Sequence, residues 1–133
     1  MNGLVFDTHA WIWYLAKDPR LPAVALQRIR DTISQGNRCY VPSICLVEAT
    51  YLVEKNRIPQ SSFDRFLAAL ETPTTGLTVW PLDSAVACAV ARIPRSSVPD
   101  LPDRVISATA LALNLPLVTR DEKIRALPIQ TIW

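Results

Sequence analysis

Leu4-Val5-Phe6-Asp7-Thr8-His9-Ala10-Trp11 is the stretch that decides the fold. Three consecutive apolar residues read as a short buried strand, and that strand ends at an acid. From Thr8 the spacing changes: Trp11, Tyr14 and Leu15 recur at helical intervals up to Ala16. The alternation continues along the chain. Pro22–Gln35 reads as a helix that opens with a proline and stops at Gly36. Cys39–Val41 is the second strand. Pro42-Ser43 opens a helix from Ile44 to about Lys55, with Ser43 expected as its N-cap. Ser61 and Ser62 open another, running to about Glu71. Leu77–Trp80 is a third strand, and Asp83 caps an apolar helix over Ser84–Arg92. After the proline-rich loop Arg95–Pro102, Asp100 is placed as a cap and Asp103 in the first turn of a helix over Arg104–Leu113. Leu115–Thr119 is a buried strand and Ile129–Trp133 a last edge strand. Short apolar strands separated by helices pair in parallel with helices on both faces. The expected fold is therefore α/β: a three-layer α/β/α sandwich around a central parallel sheet.

All 133 residues (1–133) fit a single domain. Half are hydrophobic and the mean hydropathy is +0.17, so a substantial core is available and a disordered tail is excluded. The three glycines, Gly3, Gly36 and Gly76, are isolated, so no glycine-rich phosphate loop can be written. The net charge of +2 argues against a purely electrostatic nucleic-acid binder. Cys39, Cys45 and Cys88 form no C-x-x-C pair, and one histidine cannot complete a Cys/His zinc set. They read as buried thiols in a reducing compartment. No apolar run approaches the ~20 residues needed to cross a bilayer. A soluble, cytoplasmic protein without a membrane partner is expected.

In such sheets the functional crevice lies beyond the carboxyl ends of the strands. Twelve acids are available, and four of them fall there. Asp7 follows the first strand, Glu48 lies on the helix after the second, Asp103 starts the helix after the proline-rich loop, and Asp121 follows the fourth strand. Taken alone, Asp7 fits a helix cap, Asp103 a first-turn acid and Asp121 a turn residue. Glu48 sits among Leu46, Val47, Ala49, Tyr51 and Leu52, where an unpartnered carboxylate is costly. Clustered carboxylates repel one another and call for cations. An oxygen-only donor set selects Mg²⁺ or Mn²⁺ over zinc. Such ions support in-line displacement at phosphorus, which points to phosphodiester hydrolysis.

Val5-Phe6-Asp7-Thr8-His9-Ala10-Trp11, Glu48 on its helix, Asp103-Arg104-Val105-Ile106-Ser107-Ala108-Thr109-Ala110 and Leu117-Val118-Thr119-Arg120-Asp121 together resemble the PIN-domain family, and within it the VapC-type toxins of type II toxin–antitoxin modules. The resemblance runs from Val5 to Asp121, in the family's order. It implies a Mg²⁺- or Mn²⁺-dependent endoribonuclease. Asp7 and Asp103 match the principal metal ligands, Glu48 completes the acid cluster, and Asp121 acts at closer or longer range. Thr8 and Thr119 match hydroxyl positions beside the acids. The resemblance also implies RNA as substrate, a cognate antitoxin that plugs the acidic site, and a homodimer. His9 has the pKa class for proton transfer, but the family's mechanism does not require it, and a polar contact at the helix start serves equally.

Arginine outnumbers lysine by eleven to three, a bias that suits phosphate but that genomic base composition produces as well. Arg20, Arg38, Arg57, Arg95, Arg104 and Arg120 flank the expected edge or its loops. Arg104 and Arg120 adjoin proposed metal acids and are candidate phosphate contacts. Trp11, Trp13 and Tyr14 lie within one helical turn and cannot share one face. Either some are exposed or covered by a partner, or the helix is buried on two sides. Two other readings compete with the nuclease. A phosphoacceptor receiver domain needs paired acids after strand one, and Asp7 stands alone there. A catalytically inert PIN-like RNA- or protein-binding module has no need of the intact four-acid set.

Overall fold

The computed structural model describes residues 2–133. Five parallel strands form one sheet in the order β3-β2-β1-β4-β5. They are β1 (Gly3–Phe6), β2 (Arg38–Pro42), β3 (Leu77–Trp80), β4 (Leu117–Val118) and β5 (Thr131–Ile132). Seven α-helices connect and cover them: α1 (Thr8–Ala16), α2 (Ala23–Ser34), α3 (Ser43–Glu54), α4 (Gln60–Glu71), α5 (Ser84–Ala89), α6 (Leu101–Leu113) and α7 (Glu122–Arg125). The α/β sandwich expected from the alternation is the one observed. Among the described residues, no helix is long and apolar enough to cross a membrane.

The strand order follows from burial. β1 is central, and Leu4, Val5 and Phe6 are all at or below 1 % exposure, so both of its faces are covered. The chain first builds outward from β1 to β2 and β3, then returns to the other side of β1 with β4 and β5. That reversal is a topological switch point, where diverging connections leave a crevice beyond the strand ends. Register fixes what faces it. Phe6 pairs with Val118, and the Asp7 amide donates to the Val118 carbonyl at 3.1 Å. Asp7 and Thr119 are thus set side by side at the carboxyl edge.

Local details depart from the sequence reading in four places and settle one that it left open. Ser43 does not cap α3: Pro42 takes the cap position with no side-chain bond, and the Ser43 hydroxyl instead accepts from the Leu82 amide. A proline has no side-chain oxygen to offer, so tertiary contacts set this helix start. Trp11 and Trp13 are both buried, at 0 % and 4 %, because Trp11 packs against Phe66 of α4 and Trp13 against Trp133, so α1 is covered on two sides. Of the two alternatives the sequence left open, the helix buried on two sides is the one observed; only Tyr14 is partly open. Cys39 and Cys45 are buried but Cys88 is exposed on the outer side of α5. The apolar run after Asp83 tightens from α-helix into a 3-10 turn at Val90–Arg92. The turn assigned to Asp121 is the cap of the short helix α7, which was not expected.

Candidate active site

Asp7 stands where β1 becomes α1, and its position follows from helix-end chemistry. Its Oδ1 accepts from the Ala10 amide at 2.8 Å, which satisfies one of the donors that a helix start leaves open. Asp121 does the same for α7, accepting from the amides of Lys123 at 2.8 Å and Ile124 at 3.1 Å. The Asp121 amide in turn donates to the Thr119 hydroxyl at 3.0 Å. Asp100 caps α6 through the Asp103 amide at 3.1 Å. On α3, Glu48 accepts from the Thr8 hydroxyl at 2.5 Å, so the first helix and the third are tied at the site. Each cap bond fixes one oxygen of its carboxylate.

These side chains line one cleft of about 330 Å³ at the carboxyl edge. Asp7, Glu48, Asp103 and Asp121 all border it, as the sequence predicted, and Thr8 does too. Asp100, read from sequence only as a cap, is a fifth carboxylate on its wall. Its capping pattern hid this, since the same turn that points its oxygen at the Asp103 amide also aims it at the crevice. His9, Trp13, Arg120 and Trp133 complete the lining on the other side. Cys45 lies buried beneath the acids, and burial holds its thiol protonated.

The electrostatics are those of crowded carboxylates. Burial raises the Asp7 pKa, while the Thr119 hydroxyl and the Ala10 amide pull it back. Burial also pushes the Asp103 carboxyl up to about 7, with further increments from Asp100, Asp121, Glu48 and Asp7. Among the described residues, no three His, Cys, Asp or Glu side chains already close around one point. The donors that border the cleft are carboxylate oxygens, the class hard divalent ions take.

The basic residues divide. Arg120 reaches the cleft. Arg104 does not: its guanidinium donates to the carbonyls of Ile93 at 2.8 and 3.1 Å and Val90 at 3.1 Å, so it fastens α6 to the loop before it. Arg104→Ala is accordingly expected to cost stability, about 1–3 kcal/mol in a denaturant melt, with the affinity for RNA little changed. Arg38 lies at the amino end of β2, bound to Thr78, Leu77 and Pro73, away from the crevice. Arg20 is paired with Asp18 at 2.7 Å.

Comparison with known proteins agrees with this arrangement. The model of the PIN domain family matches residues 4–130. Over its full length the chain is 33 % identical to Ribonuclease VapC22 of Mycobacterium tuberculosis, and the alignment spans all of that protein. Among solved structures, the fold is similar to a chain of VapBC2 from Rickettsia felis bound to a promoter DNA fragment (TM-score 0.69, 17 % identity, 97 % of this chain and 96 % of that one). It is equally similar to a chain of DNA-bound VapBC from Salmonella typhimurium (TM-score 0.69, 23 % identity, 98 % and 97 %). With its acids gathered at the β1–β4 switch point and a family match that spans nearly every residue, this chain belongs to the PIN-domain family.

Proposed function

We propose that the chain is a Mg²⁺- or Mn²⁺-dependent endoribonuclease, acting as the toxin of a toxin–antitoxin pair. The observation that carries this reading is the meeting of Asp7, Glu48, Asp103 and Asp121 in one cleft of a chain that matches a ribonuclease end to end. Asp7 and Asp103 are the principal ligands for the divalent ion. Glu48, oriented by Thr8, completes the acid set, and Asp121 joins it directly or through water. A bound Mg²⁺ or Mn²⁺ there supplies an activated water and offsets charge on the reacting phosphate. The caps at Asp7 and Asp121 hold those carboxylates in place before substrate arrives, which is the preorganisation such a site needs. Asp103 must give up its proton for the ion to bind, and its raised pKa sets that step near neutrality. Arg120 and Thr119 stand beside the acids as phosphate and carboxylate partners.

The partners follow from the same reading. RNA is the substrate, and a cognate antitoxin covers the cleft. The structural neighbours are toxin–antitoxin assemblies, which supports an antitoxin for this chain; a homodimer is part of the same proposal. A cytoplasmic location fits the substrate.

The test is cleavage of RNA by the purified chain. Cleavage is expected with Mg²⁺ or Mn²⁺, is expected to stop on addition of EDTA, and is expected to return with excess metal. Cleavage that persists undiminished in EDTA would overturn the metal-dependent reading. Expression without its antitoxin is expected to arrest growth.

A further inference from the structure

One end of the cleft is not explained by the acids. There the rings of Trp13 and Trp133 meet with centroids 6.0 Å apart, and the His9 ring lies 5.6 Å from that of Trp13. Trp13 is only 4 % exposed, whereas His9 is exposed and Trp133 half-buried, so the open aromatic surface is that of Trp133 and His9. The Arg120 guanidinium lies 4.9 Å from the centre of the Trp13 ring. Arg120 is itself exposed, at the rim of a cleft bordered by carboxylates. Among the described residues it makes no ion pair, and its side chain makes no hydrogen bond. Arg20 also lies over Trp13, at 4.6 Å, but its charge is taken by Asp18. Arg120 is thus held by an aromatic face, with the five N–H donors of its fork uncommitted.

An accessible aromatic face beside a free guanidinium suits a nucleotide: the ring takes a base and the fork takes a phosphate. A base can stack on a side chain only if it has left its own helical stack, so such a site accepts single-stranded segments and loops. We propose that this end of the cleft is a subsite for one unpaired RNA nucleotide adjacent to the scissile phosphate. Trp133 stacks its base, Arg120 takes its phosphate, and Trp13 is the positioning residue that holds both. The inference rests on the nuclease reading for its substrate, but it concerns recognition, not turnover.

The test measures binding separately from cleavage. A fluorescently labelled single-stranded RNA oligonucleotide is titrated with Ca²⁺ in place of Mg²⁺, and the same sequence is titrated as a duplex. The wild-type chain is expected to favour the single strand. Trp133→Leu keeps apolar bulk against Trp13 but removes the stacking face, and is expected to weaken single-strand binding about 5- to 100-fold. Trp133→Phe is expected to restore most of it, and melting curves of both variants report the fold. In turnover with Mg²⁺, the Trp133→Leu effect is expected in KM, with kcat little changed. Arg120→Lys keeps the charge without the planar fork and is expected to weaken binding as well. Unchanged affinity in Trp133→Leu, or equal affinity for duplex and single strand, would overturn the subsite. Binding that depends on Trp133 without any RNA cleavage by the wild type would overturn the nuclease reading and leave the subsite standing.

Discussion

Asp7→Asn is expected to lower RNA cleavage about a hundred-fold or more while leaving the fold intact. The carboxylate has two jobs, and asparagine separates them. As the cap of α1 it accepts from the Ala10 amide, and an asparagine carbonyl does this equally well. As the proposed metal ligand it would bring negative charge to the cleft, which asparagine would not. Losing one anionic ligand to a divalent ion removes several kcal/mol of charge stabilisation, and each 1.36 kcal/mol is about tenfold in rate. Because burial already disfavours the ionised Asp7, the melting temperature of Asp7→Asn is expected to match or exceed that of the wild type. Asp7→Ala, by contrast, loses the cap too, at a cost of about 1 kcal/mol. Cleavage assays paired with thermal melts check both parts. Wild-type cleavage rates from Asp7→Asn would remove Asp7 from the site.

Asp103→Asn is expected to inactivate the enzyme and to stabilise the metal-free protein above neutral pH. The sign follows from the direction of the shift. The folded carboxyl titrates at about 7 against 3.8 for the ordinary group, so the folded chain binds the proton more tightly. Metal-free stability from this residue is therefore greatest below about pH 4, falls as pH rises towards 7, and is flat above that. Asp103 is only partly buried, so solvent screening cuts the effect to about 1–2 kcal/mol. At this chain length that corresponds to about 3–10 °C in melting temperature. Between pH 5.5 and pH 8 in EDTA the wild type is expected to lose much of that difference, and Asp103→Asn to lose little of it. The same proton competes with metal. Below pH 7, Mn²⁺ affinity of the wild type is expected to fall about tenfold per pH unit. A wild type whose melting temperature rises steadily from pH 5.5 to 8 in EDTA would contradict the raised pKa.

The parts of the molecule legible in sequence are those where one local rule acts alone. Leu4-Val5-Phe6 reads as a short buried strand, and the β1–α1 joint at Asp7 follows from a change of apolar period. The four acids were findable because parallel sheets gather strand ends on one edge, so chain position maps to space. Local rules failed where long-range contacts competed. Ser43 looks like a cap, yet its hydroxyl serves the Leu82 amide, a partner remote in sequence. Arg104 neighbours a site acid in sequence, but a helix turns adjacent residues about 100° apart, and its guanidinium meets Ile93 and Val90 instead. Asp100 obeyed the capping rule and bordered the cleft as well, so a correct local reading concealed its second position. Trp133 was invisible as a site residue because its partner Trp13 comes from the opposite end of the chain, and only the pairing of β5 beside β4 brings the two together.

In the proposed mechanism, the carboxylates at the β1–β4 switch point hold the divalent ion that cleavage requires. Anomalous scattering from crystals soaked in Mn²⁺ tests it most directly. A peak at the Asp7 and Asp103 carboxylates is expected in the wild type, and its loss is expected in Asp7→Asn. A protein that cleaves RNA at the same Mn²⁺ concentration with no peak at those residues would contradict it.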